Sequence, residues 1–339
     1  RCDGIATTPW GTVLATEESS DGGAYELLLP ADPTAFTEVT VTDRAAGTIV
    51  FSTNGDDATA TMVKRIALPT MAWEGLAVLE TGVVIAGDEL RPGTGTADSD
   101  GGAIFKFVPS VPHAGGMIAD LADSPFTAGS TYAMQVSCNS NNQQYGQGCE
   151  VGNAAWVGVN AASARSDANA NGATGYYRPE DLHADPLYAG DGVRFCWANT
   201  GRESAANYGE VVCGIDSDPL LADADTRSVV VNRFIEGDTD FNSVDNLAFN
   251  PVTGLLYVVE DHSNGDIFAC LPDGADRDIK SDGCVKILSV RDTSAEPTGF
   301  TFHPSGLWAY VNIQHSNDTG MDLFDDYPTD DLLIINGFS

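Results

Sequence analysis

Basic residues are scarce: 16 Lys and Arg stand against 49 Asp and Glu in 339 residues, a formal net charge of −33. A surface of that sign repels nucleic-acid phosphates and anionic lipid, so neither is an expected partner. It suits divalent cations, whose preferred ligands are carboxylate oxygens. Most of the 49 acids need do no more than keep a surface solvated. Long apolar runs are also lacking, and none approaches the roughly 20 residues that span a bilayer. The five histidines are scattered, without the His-Glu-x-x-His spacing of a helical zinc site. Asp261-His-Ser-Asn-Gly-Asp offers oxygen ligands but not the spacing of an EF-hand loop. Neither an initiator Met nor a signal peptide stands at Arg1. The sequence therefore reads as a processed or incomplete piece of a longer precursor, lacking an N-terminal segment.

Helical periodicity is nearly absent. Short runs such as Gly11-Thr-Val-Leu-Ala-Thr, Ala103-Ile-Phe-Lys-Phe-Val and Leu332-Leu-Ile-Ile are bounded by Gly, Pro, Asn and Asp, which is an all-β signature. The stretches Arg91 to Gly102 and Ala161 to Thr174 read as surface loops. With 42% hydrophobic residues, the chain can bury a substantial core. It is long for one domain, but all-β propellers and barrels often exceed 200 residues as a unit, so residues 1–339 read as one domain.

Internal repeats specify the architecture. Glu74-Gly-Leu-Ala-Val-Leu, Asp245-Asn-Leu-Ala-Phe-Asn and Glu296-Pro-Thr-Gly-Phe-Thr-Phe each open a unit: an acid, an apolar strand, a turn, then a second apolar strand. Asn-Pro-Val-Thr-Gly and His-Pro-Ser-Gly supply the turn chemistry. Glu180-Asp-Leu opens a further unit. Such repeats predict a β-propeller of five to six blades, each a four-stranded antiparallel sheet around a central channel. The innermost strand of each blade lines that channel, so Glu74, Glu180, Asp245 and Glu296 are expected to converge. Like charges at close range are costly, and several carboxylates in one place call for a cation. Taken singly, each acid is as well explained as a turn cap.

Seven cysteines are present, six in sequence-local pairs: Cys138/Cys149, Cys196/Cys213 and Cys270/Cys284. Local pairing is one of 15 connectivities. Disulfides imply an oxidising compartment, so the expected location is secreted, periplasmic or cell-surface. Cys2 is left over, as an intermolecular bridge or a functional ligand.

Cys2, followed by Thr8-Pro-Trp-Gly-Thr and Thr16-Glu-Glu, resembles the opening motif of the PhoX-type alkaline phosphatases. Tyr177-Arg-Pro-Glu-Asp is similar to that family's Arg-Pro-Glu motif. Further similarities are Trp197-Ala-Asn-Thr-Gly through Asn207-Tyr-Gly-Glu, Glu260-Asp, Glu296-Pro-Thr-Gly-Phe and Tyr310-Val-Asn-Ile-Gln-His. They run in order over nearly the whole chain. The resemblance implies a six-bladed propeller holding Fe3+ and Ca2+ ions and hydrolysing phosphate monoesters. It makes Cys2 and Glu17 iron ligands, Glu74 and Glu180 bridging glutamates, Arg178 the phosphate-binding residue, and Asp245, Glu260 and Glu296 calcium ligands. Thiolate suits iron and carboxylate suits calcium. Arg178 otherwise reads as an ordinary ion-pair partner. Trp10 and Trp73 read as packing that keeps such a cluster dry. His315 belongs to a family-like segment, and Asn317-Asp-Thr fits a glycosylation sequon.

Two departures qualify the resemblance. Gly87-Asp-Glu replaces a longer acidic run, and about a blade of sequence expected before Cys2 does not precede it. The functional expectation is an extracellular metal-dependent phosphatase acting on small phosphorylated substrates. The alternative is a non-catalytic, calcium-stabilised propeller serving as a surface, adhesin or filament component, completed by another chain or by copies of itself. A calcium-dependent lactonase-like propeller is a third class, one that would not need Cys2.

Overall fold

The computed structural model describes residues 2–29, 39–51, 61–93, 100–136, 150–272, 283–314 and 331–338. They form five antiparallel blades whose first strands lie side by side in chain order, and a separate two-stranded ribbon of Val39–Asp43 and Thr48–Phe51. These inner strands are Ile5–Thr7, Trp73–Val78, Pro179–Ala184, Val244–Phe249 and Glu296–Phe302. Each is hairpinned to a second strand: Thr12–Thr16, Val84–Asp88, Val193–Asn199, Leu256–Glu260 and Trp308–Gln314. The β-propeller is thus observed, and its repeating units begin where the acidic repeats do.

Two details differ from uniform four-stranded blades. The second blade carries an extra strand, Gly152–Val159, which pairs with Val229–Glu236 of the third blade and fuses the two into one nine-stranded sheet. The fifth blade has three strands among the described residues. Ala161 to Thr174 is not wholly a loop: Ala164–Ala170 is an α-helix. Its Asn and Asp content disfavours helix, but Ala164 and Ala168, one turn apart, are buried against the second blade's core.

The expected local disulfides Cys196–Cys213 and Cys270–Cys284 are present. Cys138, Cys149, His315 and the Asn317 sequon lie outside the described residues. Trp10 and Trp73 are fully buried in one apolar cluster. Trp10 Nε1 donates to Glu26 (2.8 Å) and Trp73 Nε1 to the Pro69 carbonyl (3.1 Å).

A buried ion pair supports the seam between the second and third blades. Lys106 Nζ lies 2.7 Å from Asp216 Oδ2 and donates to the Leu221 carbonyl, and both charged side chains are fully buried. Trp156 Nε1 donates to the same carboxylate oxygen (2.9 Å). Removing one member of a buried pair strands the other charge at a cost of about 3–5 kcal/mol. Lys106→Met is therefore expected to lose stability on that scale in denaturant unfolding. A loss below about 1 kcal/mol would show that the seam does not depend on the pair.

Candidate active site

Three of the inner strands share one local device. The ladder slips between Trp73 and Leu76, between Pro179 and Leu182, and between Val244 and Leu247. Each slip holds an acid and one further residue: Glu74-Gly75, Glu180-Asp181 and Asp245-Asn246. A β-bulge re-aims the side chain it carries. The following leucines, Leu76, Leu182 and Leu247, are all buried and fix which face each strand turns to the core. The acids consequently face the channel.

There they line a cavity of about 750 Å3 with Asp3, Glu18, Glu89, Arg91, Arg178, Asn246, Asp261, Glu296, Thr298 and Gln314 among its walls. Eight carboxylates and two arginines share this space. Asp3, Glu18 and Glu74 each bring a carboxylate oxygen within 4.8 Å of the others. Burial, then Glu180, Asp3, Asp245 and Glu18, pushes the Glu74 carboxyl well up. Burial followed by Glu180, Asp261 and Asp181 does the same to Asp245. Glu180 is raised to about 8, chiefly by burial, with Arg178 opposing the rise.

Arg178 is held in a left-handed backbone conformation (φ 60°), which costs a non-glycine residue roughly 1–2 kcal/mol. Hydrogen bonds from Arg178 N to the Leu90 carbonyl (3.2 Å) and from Thr200 N to the Arg178 carbonyl (3.1 Å) pin it. Its Nε donates to Glu89 (2.7 Å) and its Nη2 lies 2.8 Å from Glu180 Oε1. Among the described residues Nη1 is not engaged, so the guanidinium keeps donors for an anion.

Arg178, Glu74, Glu180, Asp245 and Glu296 are therefore brought together as the sequence suggests. Cys2, Glu17 and Glu260 do not line the cavity. Cys2 is exposed with a free thiol. Glu17 accepts from Arg44 Nε (2.7 Å) and Gly23 N (3.0 Å). Glu260 is buried, accepting from Asn242 N (2.9 Å) and Asp266 N (3.1 Å). In each case the next residue, Asp3, Glu18 or Asp261, lines the cavity instead. Asp88-Glu89 repeats the pattern: Asp88 accepts from Ala72 N and pairs with Arg165, while Glu89 faces inward. A doublet of acids closing a second strand is the signal that would have found Glu18, Glu89 and Asp261.

Fold and site define a propeller whose channel carries a polycarboxylate pocket with Arg178 set among its acids. The chain belongs to the alkaline phosphatase PhoX family, whose sequence pattern matches residues 2–317; it is thus a phosphatase by family. Pseudomonas fluorescens PhoX in complex with vanadate, a transition-state analogue, superposes with a TM-score of 0.62 at 18% identity, covering 99% of this chain and 69% of that one. A putative oxidoreductase (glucose dehydrogenase) from Thermus thermophilus gives a TM-score of 0.41 at 12% identity, covering 91% and 75%. A sequence search of curated proteins gives no significant match.

The metal-free pocket has a definite pH signature. Glu180 rises from its ordinary 4.5 to about 8 on folding, so the folded chain holds that proton more tightly than the unfolded one. Its contribution to stability is complete below about pH 4.5 and is lost as the pH climbs to about 8. The thermal midpoint of chelator-treated protein should fall across that window. Added calcium should raise the midpoint more at pH 8 than at pH 5. An equal calcium effect at both values would place calcium elsewhere.

Proposed function

We propose that the chain is an exported, metal-dependent phosphatase that hydrolyses phosphate monoesters in the propeller channel. The observation that carries this reading is the convergence of Asp3, Glu18, Glu74, Glu180, Asp245 and Glu296 with Arg178 in one cavity. The donors are oxygens, which fit calcium; Asp3, Glu18 and Glu74 would hold one ion, and Glu180, Asp245, Asp261 and Glu296 supply further ligands. Bound cations neutralise phosphate charge and activate an oxygen nucleophile. Ferric iron at Cys2 rests on the family resemblance: the thiol is exposed, one residue ahead of Asp3.

Arg178 serves the phosphate. Glu89 and Glu180 hold its plane, and the unengaged Nη1 donates to a phosphate oxygen, a geometry that a lysine ammonium cannot copy. The two disulfides support an oxidising compartment, and no helix among the described residues is long and apolar enough to cross a membrane.

Hydrolysis of p-nitrophenyl phosphate at alkaline pH, with metal content measured on the same sample, tests the reading. Activity should vanish with chelator and return with calcium. Arg178→Ala should lower kcat/KM by about 100-fold or more, the scale of one lost transition-state donor. Calcium-loaded protein without turnover across alkaline pH would sink the proposal. Cys2→Ser decides the iron question: iron that disappears with the thiol assigns it to Cys2, and iron that stays, or was never bound, removes Cys2 from the site.

A further inference from the structure

Beside four of the channel acids, Asp3, Glu74, Glu180 and Asp245, stands a residue that meets the next blade. Gly4, after Asp3, packs so closely that an added methyl would lie 1.9 Å from the Glu74 carbonyl oxygen. Gly75, after Glu74, is equally tight: a methyl there would lie 1.8 Å from Leu182 N. At these two seams backbone meets backbone. The next two seams are built from side chains. Asp181, after Glu180, accepts from the Leu247 N–H of the fourth blade (2.9 Å) through Oδ2, while its Oδ1 accepts from its own neighbour Leu182 N (2.8 Å). His183 Nε2 also lies 3.1 Å from Oδ2. Asn246, after Asp245, accepts through Oδ1 from Gly299 N (2.6 Å) and Thr298 Oγ1 (3.0 Å) of the fifth blade.

We infer that Asp181 and Asn246 are positioning residues for the cation pocket, each locking the bulge that carries one channel acid to the inner strand of the following blade. The geometry leaves little choice. Glu180 and Asp181 share one bulge, as do Asp245 and Asn246. The N–H that Asp181 engages is two residues from Asp245, and the N–H that Asn246 engages is three residues from Glu296. Each latch therefore fixes a channel acid relative to its neighbour in the ring. Partners that orient ligands in this way are worth about 10–100-fold in metal affinity.

The inference rests on the carboxylate pocket binding cations, so calcium affinity of the full chain, by isothermal titration calorimetry, is its test. Asp181→Ala and Asn246→Ala are each expected to weaken calcium binding about 10–100-fold, with phosphatase kcat falling alongside. Asp181→Asn keeps an acceptor for Leu247 N but discards the charge, so its affinity should lie nearer wild type than that of Asp181→Ala. If Asp181→Asn binds as poorly as the alanine variant, Asp181 acts through its charge and the latch is overturned. If both alanine variants bind as wild type, with only the thermal midpoint lowered, the seams are structural and the inference falls alone. Wild-type protein that binds no calcium would remove the cation reading and this inference together. Asn246→Ala tests the second seam independently should Asp181→Ala fail to fold.

Discussion

Eight carboxylates in one cavity repel one another, and that repulsion is the constraint around which the propeller is arranged. Folding brings together groups that would separate if the blades could spread. The energy that holds them comes from elsewhere. Fully buried aromatic side chains fill the wedges between sheets, among them Trp73, Trp156, Trp197 and Phe195. Burying one large apolar side chain contributes about 1.5–3 kcal/mol, so a few such residues offset an unfavourable charge cluster. Protons or cations complete the balance, which is why the raised carboxyls of Glu74, Glu180 and Asp245 belong to the metal-free state.

The seams show two solutions to one packing problem. Where the first three inner strands meet, glycine lets backbones touch, so the spacing is set by van der Waals contact. Where the third, fourth and fifth meet, Asp181 and Asn246 stand between the strands and set the spacing by hydrogen bonds. Contact distances are stiff because close-packed atoms cannot be compressed. A hydrogen bond is softer but directional. The half of the ring holding Asp3, Glu18 and Glu74 is thus built rigidly, and the half holding Asp245 and Glu296 is built through polar side chains.

Much of this is legible in the sequence. Acid, spacer and leucine recur in Glu-Gly-Leu, Glu-Asp-Leu and Asp-Asn-Leu, and that repeat carries both the propeller and three of its channel acids, with Glu296 opening a looser copy. Asp3-Gly-Ile is the same pattern at the first blade, hidden by a shorter strand and by the pull of Cys2 beside it. Two of the sequence's candidates lie one residue away from the cavity wall. Sequence reasoning points to Glu17 and Glu260 where Glu18 and Asp261 reach the channel. A strand has a side-chain period of two, so a one-residue error exchanges its faces. Resolving it requires knowing which carboxylate the local backbone claims. Gly23 N claims Glu17, and Asn242 N and Asp266 N claim Glu260; none of these partners can be read from composition. The helix over Ala164–Ala170 is hidden for another reason, since tertiary burial of two alanines overrides weak local propensity.

Two groupings of side chains share the cavity. Asp3, Glu18 and Glu74 bring carboxylate oxygens within 4.8 Å of one another. Arg178 stands with Glu89 and Glu180, its charge partly compensated and its Nη1 not engaged among the described residues. Glu180 belongs to both groups, because it raises the Glu74 carboxyl and pairs with the guanidinium. The left-handed backbone of Arg178 stands immediately before the third inner strand, held by hydrogen bonds to the Leu90 carbonyl and from Thr200 N, and its side chain lines the channel beside Glu89 and Glu180.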